Sequence, residues 1–250
     1  MEERRKAIVE LINAQGFVPF AELKEHFPNV SEMTLRRDLE YLDRTKKIVR
    51  IHGGAKSLDV LIRTEDFFAN RSVCHIEEKR LIASKAISLL EPGSVIFIDS
   101  GSTATEFCRN FPDGTYTIFT NSISCAYELA SLSQAKIHIL GGLLNNTSLS
   151  IIGSRTTAFL ETINFSTAFF GVTGYSNTRG FTCGEEEEFK LKTTILRKSE
   201  RVVMMMDSSK VGIVSTFTFA TMQDASIIVS DGGLNPATLR QAEQFHVKVI

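Results

Sequence analysis

The chain has 250 residues, 43% hydrophobic and 23% charged, with a formal net charge of −1. That is an ordinary globular composition with room for one or two domains, and the whole-chain charge carries no basic signature. No apolar run reaches the ~18 residues of a membrane span, and no apolar block follows the charged N-terminus, so the expected location is the cytoplasm.

Residues 1–56 are set apart by local charge, with eleven Lys/Arg against nine Asp/Glu. Arg36, Arg37, Arg44, Lys46, Lys47 and Arg50 all fall within one stretch of fifteen residues. Three short helical patterns occur there. Ile8, Leu11 and Ile12 form one face, ended by Gly16. Phe20, Leu23 and Phe27 form a second, closed by Pro28-Asn29. Leu35, Leu39 and Leu42 form a third stripe, with Ser31 placed as its N-cap. Ile48, Val49 and Ile51 then favour a strand and Gly53-Gly54 a turn, which predicts a winged helix-turn-helix. Residues 57–75 lack sustained periodicity and read as a linker.

From residue 76 the pattern alternates. A helical stretch, IEEKRLIASKAISLL, is followed by SVIFID (94–99) and then by YTIFT (116–120), KIHIL (136–140), STAFFGV (166–172), RVVMMM (201–206), SIIVS (226–230) and VKVI (247–250). Near-continuous apolar runs suit strands covered on both faces, and helix-like stretches lie between most of them. Residues 76–250 are therefore expected to form an α/β domain with a mainly parallel, Rossmann-like sheet.

With the leucine stripe of the third helix turned inward, ~100° per residue turns Met33, Arg37, Glu40, Tyr41 and Arg44 outward and puts Arg36 on the flank. A recognition helix offers its N-terminal residues to base edges, and arginines can pair with guanine or phosphate. In the second domain, small and polar residues follow the strands at Asp99-Ser100-Gly101-Ser102-Thr103, Thr120-Asn121-Ser122, Gly141-Gly142, Thr173-Gly174 and Asp207-Ser208-Ser209-Lys210. Ligands of open parallel sheets bind outside the carboxyl ends of the strands. A helix starting near Ser102 offers free N–H groups to an anion, phosphate being the natural guest.

SEMTLRRDLEYLDRTKKIVRIHGGA closely resembles the helix-turn-helix signature of the DeoR family, and the similarity extends over essentially the whole chain. The resemblance implies that Arg36 and Arg37 contact double-stranded operator DNA, with Ser31 and Thr34 beside them and Arg50 and His52 in or next to the wing. It implies a second domain like a sugar-phosphate isomerase, reused to sense a phosphorylated sugar or related metabolite, in a repressor of a carbohydrate operon. DSGST, TNS, the Gly-Gly after IHIL and DSSK follow the family's order, and its Glu and Lys fall on Glu188 and Lys192. Two departures are Ser102, where the family usually has Thr, and Lys190, where an acidic residue is common. A single small reading domain implies a symmetric dimer or tetramer. Asp99, Asp207, Glu188, Lys192 and Lys210 also have the residue types for an aldose–ketose isomerase, but an isomerase has no need of the N-terminal domain. Neither GxxxxGK[ST] nor GxGxxG occurs, and the four cysteines lack metal-site spacing, so no cofactor or metal is expected.

Overall fold

The computed structural model describes residues 2–45, 47–51, 53–57 and 68–250. Two compact units divide the chain, Met1–Asp66 and Phe67–Ile250. The linker expected over 57–75 is narrowed at both ends. Ser57 is buried and its N–H donates to Gly16 O at 2.8 Å, while Phe68–Arg71 is helical. Residues 58–67, Lys46 and His52 lie outside the described residues.

The first unit comprises α1 (Glu2–Gln15), β1 (Phe17–Pro19), α2 (Phe20–His26), α3 (Glu32–Arg44), β2 (Val49–Ile51) and β3 (Gly54–Lys56). Ile8, Ile12, Leu23, Leu35, Leu39 and Leu42 meet in one core with Val18 and Ile48. The wing has one strand more than the sequence reading anticipated, because β1 pairs with β3 and gives the order β1-β3-β2. A second feature escaped that reading. Asp38 is buried on α3 and accepts from Arg4 Nε at 2.6 Å and Arg5 Nε at 2.7 Å, tying α1 to α3. Burial pushes its carboxyl up, but the two guanidinium groups outweigh that and hold it below the usual range.

The second unit begins with α4 (Phe68–Arg71) and α5 (Ile76–Ile87). Seven parallel strands follow among the other elements: β4 (Val95–Ile98), β5 (Thr117–Thr120), β6 (Lys136–Ile139), β9 (Phe165–Gly171), β12 (Ser199–Met205), β14 (Ile227–Val229) and β15 (Lys248–Val249). They lie in the order β15-β14-β12-β9-β4-β5-β6, and every apolar run singled out in the sequence is one of them. Side chains alternate between two cores. Phe97, Phe170 and Met204 face one, with Leu191 and Ile195 of α9 (Glu186–Arg197). Ile96, Ile98, Phe169 and Met205 face the other, with α5, α6 (Ser102–Arg109) and α7 (Ile123–Leu129).

Two small antiparallel sheets were not foreseen. One pairs β7 (Leu143–Asn145) with β8 (Ser150–Ile152), ahead of α8 (Ser154–Leu160). The other joins β10 (Gly174–Ser176), β11 (Gly180–Cys183) and β13 (Phe217–Ala220). Near the end, α10 (Pro236–Gln244) precedes β15. The large sheet finishes at β6 on one side, where Ile139 is exposed, and at the two-residue β15 on the other.

Replacing Asp38 with Ala leaves Arg4 and Arg5 without their shared acceptor and costs the first unit about 1–3 kcal/mol. Hydrogen exchange should accelerate in α1 and α3 and stay unchanged in the second unit. Because the folded-state pKa is depressed, this stabilisation is present at neutral pH and is lost as pH falls through that pKa.

Candidate functional site

In the first unit, Ser31 caps α3: its Oγ accepts from Thr34 N at 3.2 Å and lies 2.9 Å from Thr34 Oγ1. The outward face expected from the leucine stripe is the observed one, with Met33, Arg37, Glu40, Tyr41 and Arg44 exposed. Its cations are not equivalent. The Arg36 guanidinium lies 4.4 Å from the Phe20 ring centroid, and Arg44 lies 5.8 Å from that of Tyr41, on which Arg5 also stacks. Arg37 has no hydrogen-bond, ion-pair or ring partner among the described residues. Arg50 is exposed, its N–H donating to Asp43 Oδ1 at 3.1 Å.

In the second unit the strand order reverses between β4 and β9. The carboxyl ends of these neighbours part into loops leading opposite ways, which is where doubly wound sheets bind ligands. Asp99 ends β4 at this point, buried. Its Oδ2 accepts from Lys192 Nζ and from Gly171 N, the latter at 3.2 Å. Burial pushes the Asp99 carboxyl up, opposed by the Lys192 ammonium. Burial pulls Lys192 down, but the carboxylates of Asp99 and Glu188 outweigh it and its pKa is raised. Lys192 is thus paired with Asp99.

Glu188, also buried on α9, accepts from Ser150 Oγ at 3.2 Å, and Ser150 is in turn 2.7 Å from Ser148 Oγ. Lys190 stands on the exposed side of α9, 2.8 Å from Glu186 and from Glu187, so the charge that departs from the family pattern belongs to the surface.

The loop Ser100-Gly101-Ser102-Thr103 opens α6. Gly101 is its N-cap at φ 120°, ψ 165°, a conformation closed to other residues, and no side chain caps the helix. The loop hydroxyls are therefore not spent on capping. Ser102 lines a cleft of about 350 Å³ with Thr105, Ser124 and Phe68. After β5, Thr120 Oγ1 accepts from Ser122 N at 3.1 Å, and Ser122 caps α7. Asn121 is buried, with Nδ2 donating to Ile151 O at 3.4 Å. Gly142 serves packing, since a Cβ there would meet Ile152 O at 2.6 Å, whereas a Cβ on Gly141 would meet nothing within 4 Å.

Asp207 is buried after β12, its Oδ1 accepting from Ser209 N at 3.1 Å. Asp99 Oδ1, Asn121 Oδ1 and Asp207 Oδ2 are buried acceptors without a hydrogen-bond partner among the described residues. All three sit just past the carboxyl ends of strands of one sheet.

Sequence reasoning missed Lys79. It lies on the buried face of α5 with Ile82, Ala83 and Ala86, and its Nζ donates to Arg71 O at 2.5 Å and Cys74 O at 2.6 Å. A lysine on an apolar helix face was the available signal. Burial brings its pKa down to about 8, with the Lys210 ammonium adding to the effect and the Asp207 carboxylate opposing it. Lys210 is itself lowered, chiefly by burial, with Asp207 opposing. Lys79, Lys210 and Asp207 thus share one electrostatic neighbourhood on the site's edge.

Residues 4–60 match the DeoR-like helix-turn-helix domain, and residues 74–232 match the DeoR C terminal sensor domain. The chain belongs to the DeoR family. It is 34% identical to the uncharacterized HTH-type transcriptional regulator YulB of Bacillus subtilis over 99% of this chain and 95% of that protein. It is 32% identical to the HTH-type transcriptional regulator GlpR of Haloferax volcanii, covering 99% and 96%. A third relative is the lactose phosphotransferase system repressor of Streptococcus mutans, 32% identical over 92% of each chain. Among solved structures, ribose 5-phosphate isomerase A of Methanocaldococcus jannaschii is similar at a TM-score of 0.40, with 17% identity over 54% of each chain. DeoR-family proteins of this kind are transcriptional regulators, which removes the isomerase alternative.

Lys79 makes a pH prediction. Its folded-state pKa of about 8 lies below the 10.5 of a free lysine, so between these values the unfolded chain binds the extra proton. Stability of the second unit should rise with pH across that window, and Lys79→Met should remove this rise. Urea denaturation at several pH values checks it.

Proposed function

We propose that this DeoR-family protein is a repressor of a sugar-metabolism operon, binding double-stranded operator DNA as a symmetric dimer or tetramer under the control of a phosphorylated sugar. The observation that carries the effector reading is the set of buried, unpartnered oxygens on Asp99, Asn121 and Asp207. Buried acceptors without donors are costly, and sugar hydroxyls are donors of the right kind. The phosphate would take the uncapped start of α6 at Ser100 to Thr103, where backbone N–H groups and hydroxyls converge. Lys210 and Lys79, beside Asp207, are the candidate positive charges, and Glu188, which accepts from Ser150, is the candidate for the sugar hydroxyls. The names of relatives such as the lactose phosphotransferase system repressor of Streptococcus mutans agree with a sugar-linked role.

On the DNA side, Ser31, Thr34, Arg36, Arg37, Arg44 and Arg50 are the contacting groups. The first unit places them on or beside the exposed face of α3 and on the wing, where phosphate contacts would fix the register. Ligand control follows from linkage: the sugar phosphate shifts operator affinity because it favours one arrangement of the chain over another.

Arg36→Ala and Arg37→Ala should each weaken operator binding by about 1–3 kcal/mol, with unchanged circular dichroism. Gel-shift titration measures this, and full affinity in both variants would remove the assignment. Separately, Ser102→Ala with Thr103→Ala should blunt the response to a panel of sugar phosphates while leaving ligand-free operator affinity intact. Paired operator titrations decide it. A response at unchanged ligand concentration would place the phosphate elsewhere, and turnover of the ligand at an enzyme-like rate would overturn the sensor reading.

A further inference from the structure

We infer that Met33 reads the 5-methyl group of a thymine in the major groove, and that Arg37, one turn later on the same face of α3, reads a guanine close by. The inference rests on the DNA-reading role of the first unit and assigns the base-reading side chains within it.

Met33 is 62% exposed, the most exposed large hydrophobic side chain among the described residues of its unit; Phe17, Tyr41 and Ile51 follow at 39%, 38% and 37%. It stands in the first turn of α3, the part of a recognition helix that meets base edges. The other side chains of that turn are engaged. The Ser31 and Thr34 hydroxyls bond each other, and Glu32 is held by Lys24 at 2.6 Å. Met33 is the apolar side chain of that turn left exposed, while Leu35 is buried.

The arginines divide in the same way. Arg36 is stacked on Phe20 at the flank, which suits a phosphate contact fixed by the protein itself. Arg37 has no partner among the described residues and lies four positions after Met33, on the same outward face.

The major groove offers an apolar side chain one distinctive target. Only thymine carries a methyl group on that edge, whereas guanine presents the paired acceptors that an arginine fork fits. An unbranched thioether adapts its shape to a methyl group and gains by covering it. Four residues of helix span roughly 6 Å, and base pairs are stacked at about 3.4 Å, so the two readers address positions within about two steps of each other.

The test uses the full chain and a pool of duplexes with a randomised core. The sequence enriched by the wild-type protein is then rebuilt with each thymine replaced singly by deoxyuridine, which removes only the methyl group. We expect one thymine per half-site at which this change weakens binding, on the order of fourfold, the value of one buried methyl-sized group. Met33→Ala should lose a similar factor on the thymine duplex and bind the thymine and deoxyuridine duplexes equally. Met33→Leu should keep the discrimination. Circular dichroism should be unchanged in both variants, because the side chain supports no core. If the wild type binds every deoxyuridine duplex as well as its parent, or if Met33→Ala still discriminates, the inference fails while the DNA-reading role stands. If no sequence is enriched, the DNA-reading role itself fails.

Discussion

Asp99 stands at the one place in the large sheet where strand order reverses, and a buried lysine holds it there. Removing two opposite charges from water costs several kcal/mol per ion, so such a pair persists only with close geometry and further hydrogen bonds. Both conditions are met: Lys192 touches Oδ2, and the Gly171 N–H at the end of β9 supports the same oxygen. The pair fixes α9 over the sheet, and with α9 the position of Glu188 and of the serines behind it. It also leaves Oδ1 without a hydrogen-bond partner among the described residues. One half of the carboxylate thus serves architecture and the other stays uncommitted.

The first unit solves a comparable problem with different means. A three-helix core this small has few apolar side chains to set the angle between α1 and α3. Asp38 supplies a polar clasp instead, drawing both Arg4 and Arg5 onto the back of the reading helix. Arg5 then lies 3.7 Å from the centroid of Tyr41, so the same cation braces the exposed face. The Tyr41 ring is thus shared between Arg5, which steadies α3, and Arg44, on the exposed face.

What was legible in the sequence followed from periodicity. The five inner strands of the large sheet, β4, β5, β9, β12 and β14, are mostly buried on both faces, and such strands write themselves as apolar runs. Leu35, Leu39 and Leu42 likewise fixed the outward face of α3 without reference to anything distant. The small sheets were not legible, because three- and four-residue strands such as β7, β8 and β10 are too short for an alternation to register. Strand order was not legible either, since nothing in a run of apolar residues says which neighbour it will have. The ion pairs share that obscurity. Asp99 and Lys192 are 93 residues apart, and Asp38 is 33 and 34 from its arginines. Motif resemblance marked Asp99 and Lys192 as site residues but not as partners of each other.

The unequal edges of the large sheet limit how copies of this protein can join. On β6, Lys136 N and Leu140 N donate inward to β5 and its flank, so by the period of two the peptide groups of Ile137 and Ile139 face outward. The opposite edge, β15, is only two residues long and presents almost no ladder. Head-to-tail growth by strand addition requires an open edge at both ends of each copy, so the described strands of this sheet favour two copies meeting at β6, antiparallel across a two-fold axis, over an open-ended chain.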